Sequence, residues 1–276
     1  MADSPKPEKP KPDSSKTTKE KAAAARAEAQ KAEKARQRRT NLLIGGGLLV
    51  VIGLIVGGVV FASHQNSSSA SATTLPPVDP NAALPKTVLP SSSPQAYGVP
   101  FGTPAANKSV VQIWEDFQCP ICGEFERAQG AQIQQLATDG KIYLVYRPAS
   151  FLDKNLPQSN LSSARATAAW GCAIDGGVAE KFHNVVFSNQ PAKEGDGYTD
   201  AQLLDFGKQA GLTGAAYDTY ASCVGAKTYF GWTANSAGAF ADSGIPGTPN
   251  VQLDGTEIPS AQLATAAAYI DANRKK

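Results

Sequence analysis

Two cysteines separated by two residues are the groups in this sequence best suited to chemistry. They form Cys119-Pro120-Ile121-Cys122, which follows the apolar run Val110–Trp114 and opens a predicted helix. Backbone N–H groups and the helix dipole stabilise a thiolate at a helix N-terminus, so a thiol placed there is reactive. The pattern therefore predicts a dithiol that cycles between two thiols and a disulfide.

Two other roles are open to a cysteine pair, half of a zinc site and a structural bridge. A structural zinc ion needs four ligands, usually with two further Cys or His at short spacing. The remaining cysteines, Cys172 and Cys223, are each isolated, and the histidines are His64 and His183. The spacing therefore favours redox chemistry, and the sequence predicts neither a metal nor another cofactor.

The elements that must position the dithiol are a strand before it and a helix that begins at it. We predict a buried strand over Ser109–Glu115, a helix from Cys119 to about Thr138, and a second strand over Lys141–Arg147. Two strands joined by a helix in this way should be parallel. Further along the chain we predict a mostly helical stretch over about residues 159–243, short strands over Asn250–Leu253 and Thr256–Ile258, and a helix from Ser260.

The charged residues are distributed unevenly between the start and the rest of the chain. Residues 1–40 contain 12 Lys/Arg and 6 Asp/Glu, whereas the remainder contains 14 Lys/Arg and 18 Asp/Glu. We therefore predict a basic tail over residues 1–40, disordered or helical, attached to a mildly acidic body. This distribution argues against a nucleic-acid-binding protein.

An uncharged apolar run of 21 residues, Leu42 to Ala62, follows the tail. Because ~20 apolar residues span a bilayer, we predict a transmembrane anchor over residues 41–62. Three arginines precede the run, so the positive-inside rule places the tail in the cytoplasm and the body outside. A cleaved signal peptide is the competing interpretation, but its apolar region is only ~7–15 residues long.

Two segments of different composition follow the predicted anchor. Residues 63–95 are rich in Ser, Ala and Pro, so we predict an extended linker that holds the body off the membrane. The folded domain is predicted to span residues 96–276, with the helical stretch inserted within it.

The residues now described resemble a known family. The run Glu115–Cys122, the helical insertion and the run Gly244–Pro249 are similar to DsbA-type thiol:disulfide oxidoreductases, in the membrane-anchored form of Gram-positive actinobacteria. The resemblance covers about residues 97–273. It implies an α/β, thioredoxin-like fold with a helical insertion. It also implies a cis peptide bond between Thr248 and Pro249, facing the dithiol.

The resemblance assigns roles to the two thiols, and this chain departs from the family's pattern at two positions. It implies that Cys119 is the more exposed nucleophile and Cys122 its buried resolving partner. Strongly oxidising members often have His where this chain has Ile121, and many have Glu where it has Ile113. We expect His183 to be a packed core residue. For three acidic residues near the dithiol we expect solvated or structural roles: Glu115, Asp116 and Glu126.

A second, structural disulfide between Cys172 and Cys223 is also implied by the resemblance, because some members have one in the insertion. The alternative is two free buried thiols. In an exported protein such a pair is prone to oxidation, which favours the bridge.

The leading hypothesis is an extracytoplasmic, membrane-anchored oxidase that introduces disulfides into exported proteins and is recharged by a membrane redox partner. A reductase or isomerase of the same fold is the nearest alternative, because direction depends on the reduction potential and the recharging partner. A metal-binding module is disfavoured, since the one methionine is Met1 and the histidines are poorly placed. A scaffold or adhesion role leaves the dithiol unexplained.

Overall fold

The computed structural model describes residues 74–276 of the chain. The predicted tail, the predicted anchor and the first part of the predicted linker lie outside the described residues. Within residues 74–276, no helix is both long enough and apolar enough to cross a membrane.

Strands and helices alternate along the described residues. The strands are β1 (Val99–Phe101), β2 (Ser109–Glu115), β3 (Ile142–Pro148), β4 (Asn250–Leu253) and β5 (Thr256–Glu257). The helices are α1 (Pro120–Phe125), α2 (Ala131–Thr138), α3 (Leu152–Asn155), α4 (Ser162–Asp175), α5 (Ala179–Ser188), α6 (Asp200–Gln209), α7 (Gly214–Gly225), α8 (Phe230–Asp242) and α9 (Ala266–Asn273). A π-helical turn, Glu126–Gly130, joins α1 to α2, and 3₁₀ turns occupy Pro157–Ser159 and Ser260–Thr265.

The strands form one mixed sheet in the order β1-β3-β2-β4-β5. β2 and β3 are parallel, which confirms the predicted strand–helix–strand unit. β4 runs antiparallel to β2, with Asn250 opposite Trp114. This pairing places the start of β4 beside the end of β2, the edge from which the chain enters the dithiol turn.

The helical insertion supplies much of the hydrophobic core. Its helices α4 to α8 lie within the predicted helical stretch, about residues 159–243, whereas the short helix α3 precedes that stretch and was not predicted. Most residues of α4 are buried, and its Trp170 is fully buried, as are Phe182 on α5 and Trp232 on α8. Burying side chains of this size removes a large apolar area from water. The insertion is therefore packed as part of the domain.

The second part of the predicted linker, residues 74–95, also packs against the insertion. The Asp79 N–H donates to Asn235 Oδ1 over 2.9 Å. Pro85 lies over Gly171, where a Cβ atom would come within 2.9 Å of the proline ring. The many prolines of this segment therefore lie along the domain instead of forming a free spacer. Composition alone predicts extended chain here, because it does not reveal the surface that receives the segment.

Two smaller differences concern the ends of the domain. Strand β1, which pairs antiparallel with β3, has only three residues and was not predicted. The final helix begins at Ala266, because the predicted first turn from Ser260 is a 3₁₀ turn.

A disulfide joins Cys172 on α4 to Cys223 on α7, the pairing that the resemblance implied. The two Cα atoms are 5.9 Å apart and the cysteines are separated by 51 residues in the chain. The bond therefore ties together two helices of the insertion.

We predict that replacing both cysteines by serine lowers the free energy of unfolding by about 4 kcal/mol, because a loop of this length loses less entropy on folding when it is already closed. Urea denaturation would measure this in a Cys119→Ser/Cys122→Ser background, which removes the other thiols. The background protein is the control. An unchanged unfolding midpoint after the second pair of substitutions would contradict the prediction.

Candidate active site

The end of β2 and the start of α1 present the dithiol. The Cys119 N–H donates to Asp116 O over 2.9 Å, closing the turn that leads from the strand to the helix. Cys119 is the N-cap of α1, and Pro120 follows at its first position, where proline loses no hydrogen bond. Cys119 is 6% exposed and Cys122 is fully buried, and both are free thiols.

The loop before β4 meets this turn. The peptide bond between Thr248 and Pro249 is cis. The Cys119 Sγ lies 3.4 Å from Thr248 O, within contact distance for a thiol donor. The structure thus brings the predicted residues Cys119, Cys122, Thr248 and Pro249 to one place, although the two motifs are more than a hundred residues apart in the chain.

The two thiols differ in acidity. The pKa of Cys119 is lowered to about 7, chiefly because the Cys122 thiol hydrogen-bonds to its sulfur. Burial raises the pKa of Cys122 well above that of an ordinary thiol, and the neighbouring Cys119 raises it further. Near neutral pH a substantial fraction of Cys119 is therefore the thiolate, the nucleophilic form, while Cys122 keeps its proton.

Two side chains of the insertion hold the turn before Cys119. The Tyr198 hydroxyl donates to Phe117 O over 2.7 Å. The Gln190 Nε2 donates to Phe117 O over 3.0 Å and to Cys119 O over 2.8 Å. Sequence reasoning missed both residues, because nothing in their local sequence indicates that the insertion folds back over the dithiol.

A buried polar network lies behind the same turn. Gln118 Nε2 donates to Asp153 Oδ1 over 2.9 Å and to Ser163 Oγ over 2.8 Å. The Asp116 Oδ1 accepts from the Gln118 N–H and from the Ser163 hydroxyl. Burial raises the pKa of Asp116, and it raises that of Asp153 to about 6. A solvated role for Asp116 is wrong, whereas a structural one agrees with these bonds.

Three further titratable side chains meet in the core below the dithiol. Glu115, Glu126 and His183 are 2%, 8% and 0% exposed. The His183 Nε2 hydrogen-bonds to Glu115 Oε1, and the Tyr146 hydroxyl donates to Glu126 Oε2 over 3.4 Å. A solvated role for the two glutamates is therefore wrong. His183 is a packed core residue as expected, but its contact with Glu115, 68 residues earlier in the chain, was missed.

Burial dominates the acidity of this cluster. It raises the pKa of Glu126 to about 8 and that of Glu115 well above its ordinary value, and it lowers the pKa of His183. The neutral forms are therefore favoured, as expected for ionisable groups removed from water. The negative charge of a Cys119 thiolate also raises the pKa of Glu115, which links the cluster electrostatically to the dithiol.

The same three side chains are the set among residues 74–276 that comes closest to a metal site. Their ligand atoms lie within 4.8 Å of one another. Two carboxylates and a neutral imidazole would balance the charge of a divalent cation. The ring nitrogen that faces the carboxylates already bonds to Glu115, however, so we assign no metal to the cluster.

Comparison with known proteins agrees with this geometry. The family model described as Thioredoxin matches residues 95–272. The oxidised DsbA of Mycobacterium tuberculosis is 30% identical, with 63% of this chain and 91% of that chain covered and a TM-score of 0.52. The disulfide bond oxidoreductase DsbG of the same organism is 28% identical, with 63% and 86% covered and a TM-score of 0.52. MdbA, a thiol-disulfide oxidoreductase from Actinomyces oris, is 22% identical, with 72% and 96% covered and a TM-score of 0.59. Among curated proteins, none matches the chain significantly.

We predict that the acidity of Cys119 depends on a hydrogen-bond donor at position 122. In Cys122→Ser the hydroxyl can still donate, so the pKa of Cys119 should stay near 7. In Cys122→Ala the donor is lost and the pKa should rise toward the ~8.5 of free cysteine. Ultraviolet absorbance of the thiolate against pH would measure both values. Identical titration curves for the two variants would contradict the prediction.

The buried Glu126 predicts that the folded domain loses stability as the pH rises. Its raised pKa, about 8, means that the folded state keeps a proton which the unfolded chain releases near its ordinary value of 4.5. This contribution to stability is complete below the unfolded pKa and is lost as the pH rises through the folded one, at up to ~1.4 kcal/mol per pH unit.

Glu126→Gln should therefore flatten the pH dependence of the free energy of unfolding across this range, as measured by urea denaturation at several pH values. The exposed Glu124, on the same helical segment, supplies the control variant Glu124→Gln, which should behave as the native protein does. An equally steep pH dependence in Glu126→Gln would show that Glu126 does not hold the proton.

Proposed function

Because the chain belongs to the thioredoxin family and its solved relatives include thiol-disulfide oxidoreductases of the DsbA and MdbA type, we propose that it is a thiol-disulfide oxidoreductase that introduces disulfide bonds into exported proteins. The observation that carries this proposal is the unequal pair of thiols beside a cis proline. Cys119 has a pKa of about 7 and keeps 6% exposure, whereas Cys122 is fully buried.

The proposed cycle begins with the oxidised enzyme, in which Cys119 and Cys122 are joined. A substrate thiolate attacks the Cys119 sulfur, forming a mixed disulfide and releasing the Cys122 sulfur, which takes up a proton. A second substrate thiolate then attacks the substrate's own sulfur in the mixed disulfide. The substrate leaves with a new disulfide and Cys119 leaves as a thiolate. Two electrons have moved from the substrate to the enzyme.

The hydrogen bond from Cys122 favours the Cys119 thiolate as the leaving group. The Cys122 thiol hydrogen-bonds to the Cys119 sulfur, so the thiolate formed in the last step is stabilised where it appears. A stable thiolate on the reduced enzyme favours the reduced form, which makes the oxidised form a stronger oxidant. A pKa of about 7 stabilises the thiolate only moderately, so this effect supports moderate rather than extreme oxidising power.

The cis-proline loop provides a place for the substrate backbone. Thr248 O lies 3.4 Å from the Cys119 sulfur, so a backbone acceptor stands beside the point where the substrate sulfur must arrive. The Thr248 hydroxyl is buried without a hydrogen-bond partner. We assign to Thr248 and Pro249 the alignment of an extended substrate segment across the dithiol.

The buried carboxyl groups couple protons to the redox state. A Cys119 thiolate raises the pKa of Glu115, so reduction of the enzyme makes this carboxyl group hold its proton more tightly. We propose that Glu115, together with Glu126 and His183, keeps the charge beneath the dithiol low when the thiolate forms.

The proposed location and partners are supported by the sequence outside the described residues. The apolar run within residues 41–62 and the arginines before it support a single-pass anchor with the catalytic domain outside the cell. There the substrates are reduced or unfolded exported proteins. A membrane redox partner reoxidises the dithiol, and nucleic acid takes no part.

We predict that the oxidised domain catalyses disulfide formation in a reduced, unfolded ribonuclease, measured as recovered ribonuclease activity, and that Cys119→Ala abolishes this. Cys172→Ser/Cys223→Ser, which leaves the dithiol in place, is the matched control and should retain the activity under conditions where it is folded. The reduction potential of the dithiol is the second measurement. A value at or below about −270 mV, that of thioredoxin, would favour the reductase alternative.

A further inference from the structure

We propose that Gln190, a residue of the helical insertion, is a positioning residue that holds Cys119 in its reactive conformation. The proposal rests on the proposed function to the extent that it takes Cys119 as the nucleophile. Gln190 lies just after α5 and does not touch the sulfur, so it acts through the backbone of the dithiol turn.

The Gln190 carboxamide bridges two carbonyl groups of that turn. Its Nε2 donates to Phe117 O over 3.0 Å and to Cys119 O over 2.8 Å. Each oxygen also accepts a second bond, from the Tyr198 hydroxyl and from the Gly123 N–H respectively. Gln190 is therefore the group that ties Phe117 and Cys119 to each other across the turn, and it fixes the direction in which Cys119 enters α1.

A glycine makes room for this side chain. A Cβ atom built on Gly123 would lie 2.1 Å from the Gln190 Oε1, 2.9 Å from its Cδ and 2.9 Å from Arg127 Nη1, so the nearest group is Gln190. Gly123 is in α1, where glycine costs ~1 kcal/mol relative to alanine. Its backbone conformation does not require glycine, because Gly123 is not among the residues with positive φ. The close approach of Gln190 therefore explains why a glycine follows Cys122.

The bridge also affects the charge around the sulfur. The oxygens of Phe117 and Cys119 are the negative ends of two peptide dipoles near the thiolate. Donation from a side-chain amide offsets part of that negative charge and keeps both carbonyl groups in a fixed direction. Removing the donor should therefore make the Cys119 thiolate less favourable, and it should let the turn adopt other conformations.

The first experiment measures the pKa of Cys119 in Gln190→Ala and Gln190→Met, by thiolate absorbance in the Cys122→Ser background. Methionine keeps the length of the side chain but cannot donate a hydrogen bond. Both variants should raise the pKa, so that the ratio of thiolate to thiol at neutral pH falls by about threefold or more, the effect of one lost hydrogen bond. Asn189→Ala is the control, because the Asn189 side-chain amide donates to Val185 O and to Gln209 Oε1 and not to the dithiol turn.

The second experiment is a double-mutant cycle with Gly123→Ala, whose methyl group should displace Gln190. Alone, Gly123→Ala should raise the pKa of Cys119 as much as Gln190→Ala does. In the Gln190→Ala background it should have almost no further effect on the pKa of Cys119, because the carboxamide that it displaces is already absent. Strictly additive shifts would overturn the proposal. So would a Gln190→Ala variant that is less stable to urea yet keeps the native pKa of Cys119, since that result describes a purely structural residue.

These measurements do not depend on the direction of the overall reaction. They need only a titrating Cys119, so a dithiol potential that favours reduction would overturn the oxidase proposal and leave the Gln190 result intact. Conversely, an unchanged pKa in both Gln190 variants would overturn the positioning role while ribonuclease oxidation still proceeds.

Discussion

The hydrogen bond from the Cys122 thiol to the Cys119 sulfur is the interaction on which the chemistry of this protein depends. It is the largest influence that lowers the pKa of Cys119 to about 7. Burial raises the pKa of Cys122, so the Cys122 thiol keeps the proton that it donates to the Cys119 sulfur. A donor must be buried to be held in place, and the acceptor must still be reachable by a substrate. The end of β2 and the first turn of α1 satisfy both conditions with four consecutive residues.

The helical insertion is more than a cover for the sheet. It carries Gln190 and Tyr198, which bind the carbonyl groups of the turn before Cys119, and His183, which reaches Glu115 in the core. These contacts mean that the thioredoxin-like part does not define the site alone. Residues 74–95 in turn pack against the insertion, which extends the folded unit beyond the matched family region that starts at residue 95.

Two buried acidic residues lie near the dithiol, in surroundings that disfavour their ionised forms. Glu115 and Glu126 are almost fully buried, and each has one carboxyl oxygen without a hydrogen-bond partner. Such groups destabilise the fold when ionised, so burial raises the pKa of both, that of Glu126 to about 8. Because the charge of Cys119 raises the pKa of Glu115, the free-energy cost of ionising Glu115 depends on the redox state of the dithiol. An apolar core would be more stable but would lack that connection.

The sequence by itself determined the dithiol, the strand–helix–strand unit around it and the mostly helical character of the insertion, because these follow from local spacing and apolar periodicity. The family resemblance, carried by two motifs, added the cis proline and the pairing of Cys172 with Cys223. Only the tertiary structure decided which residues surround the sulfur atoms. Gln190, Glu115 and His183 lie on separate elements, and no local pattern indicates which polar side chains of distant elements will meet. Burial likewise depends on the whole packing, so the sequence left Glu115 and Glu126 as ordinary acids, whereas the folded core gives them raised pKa values.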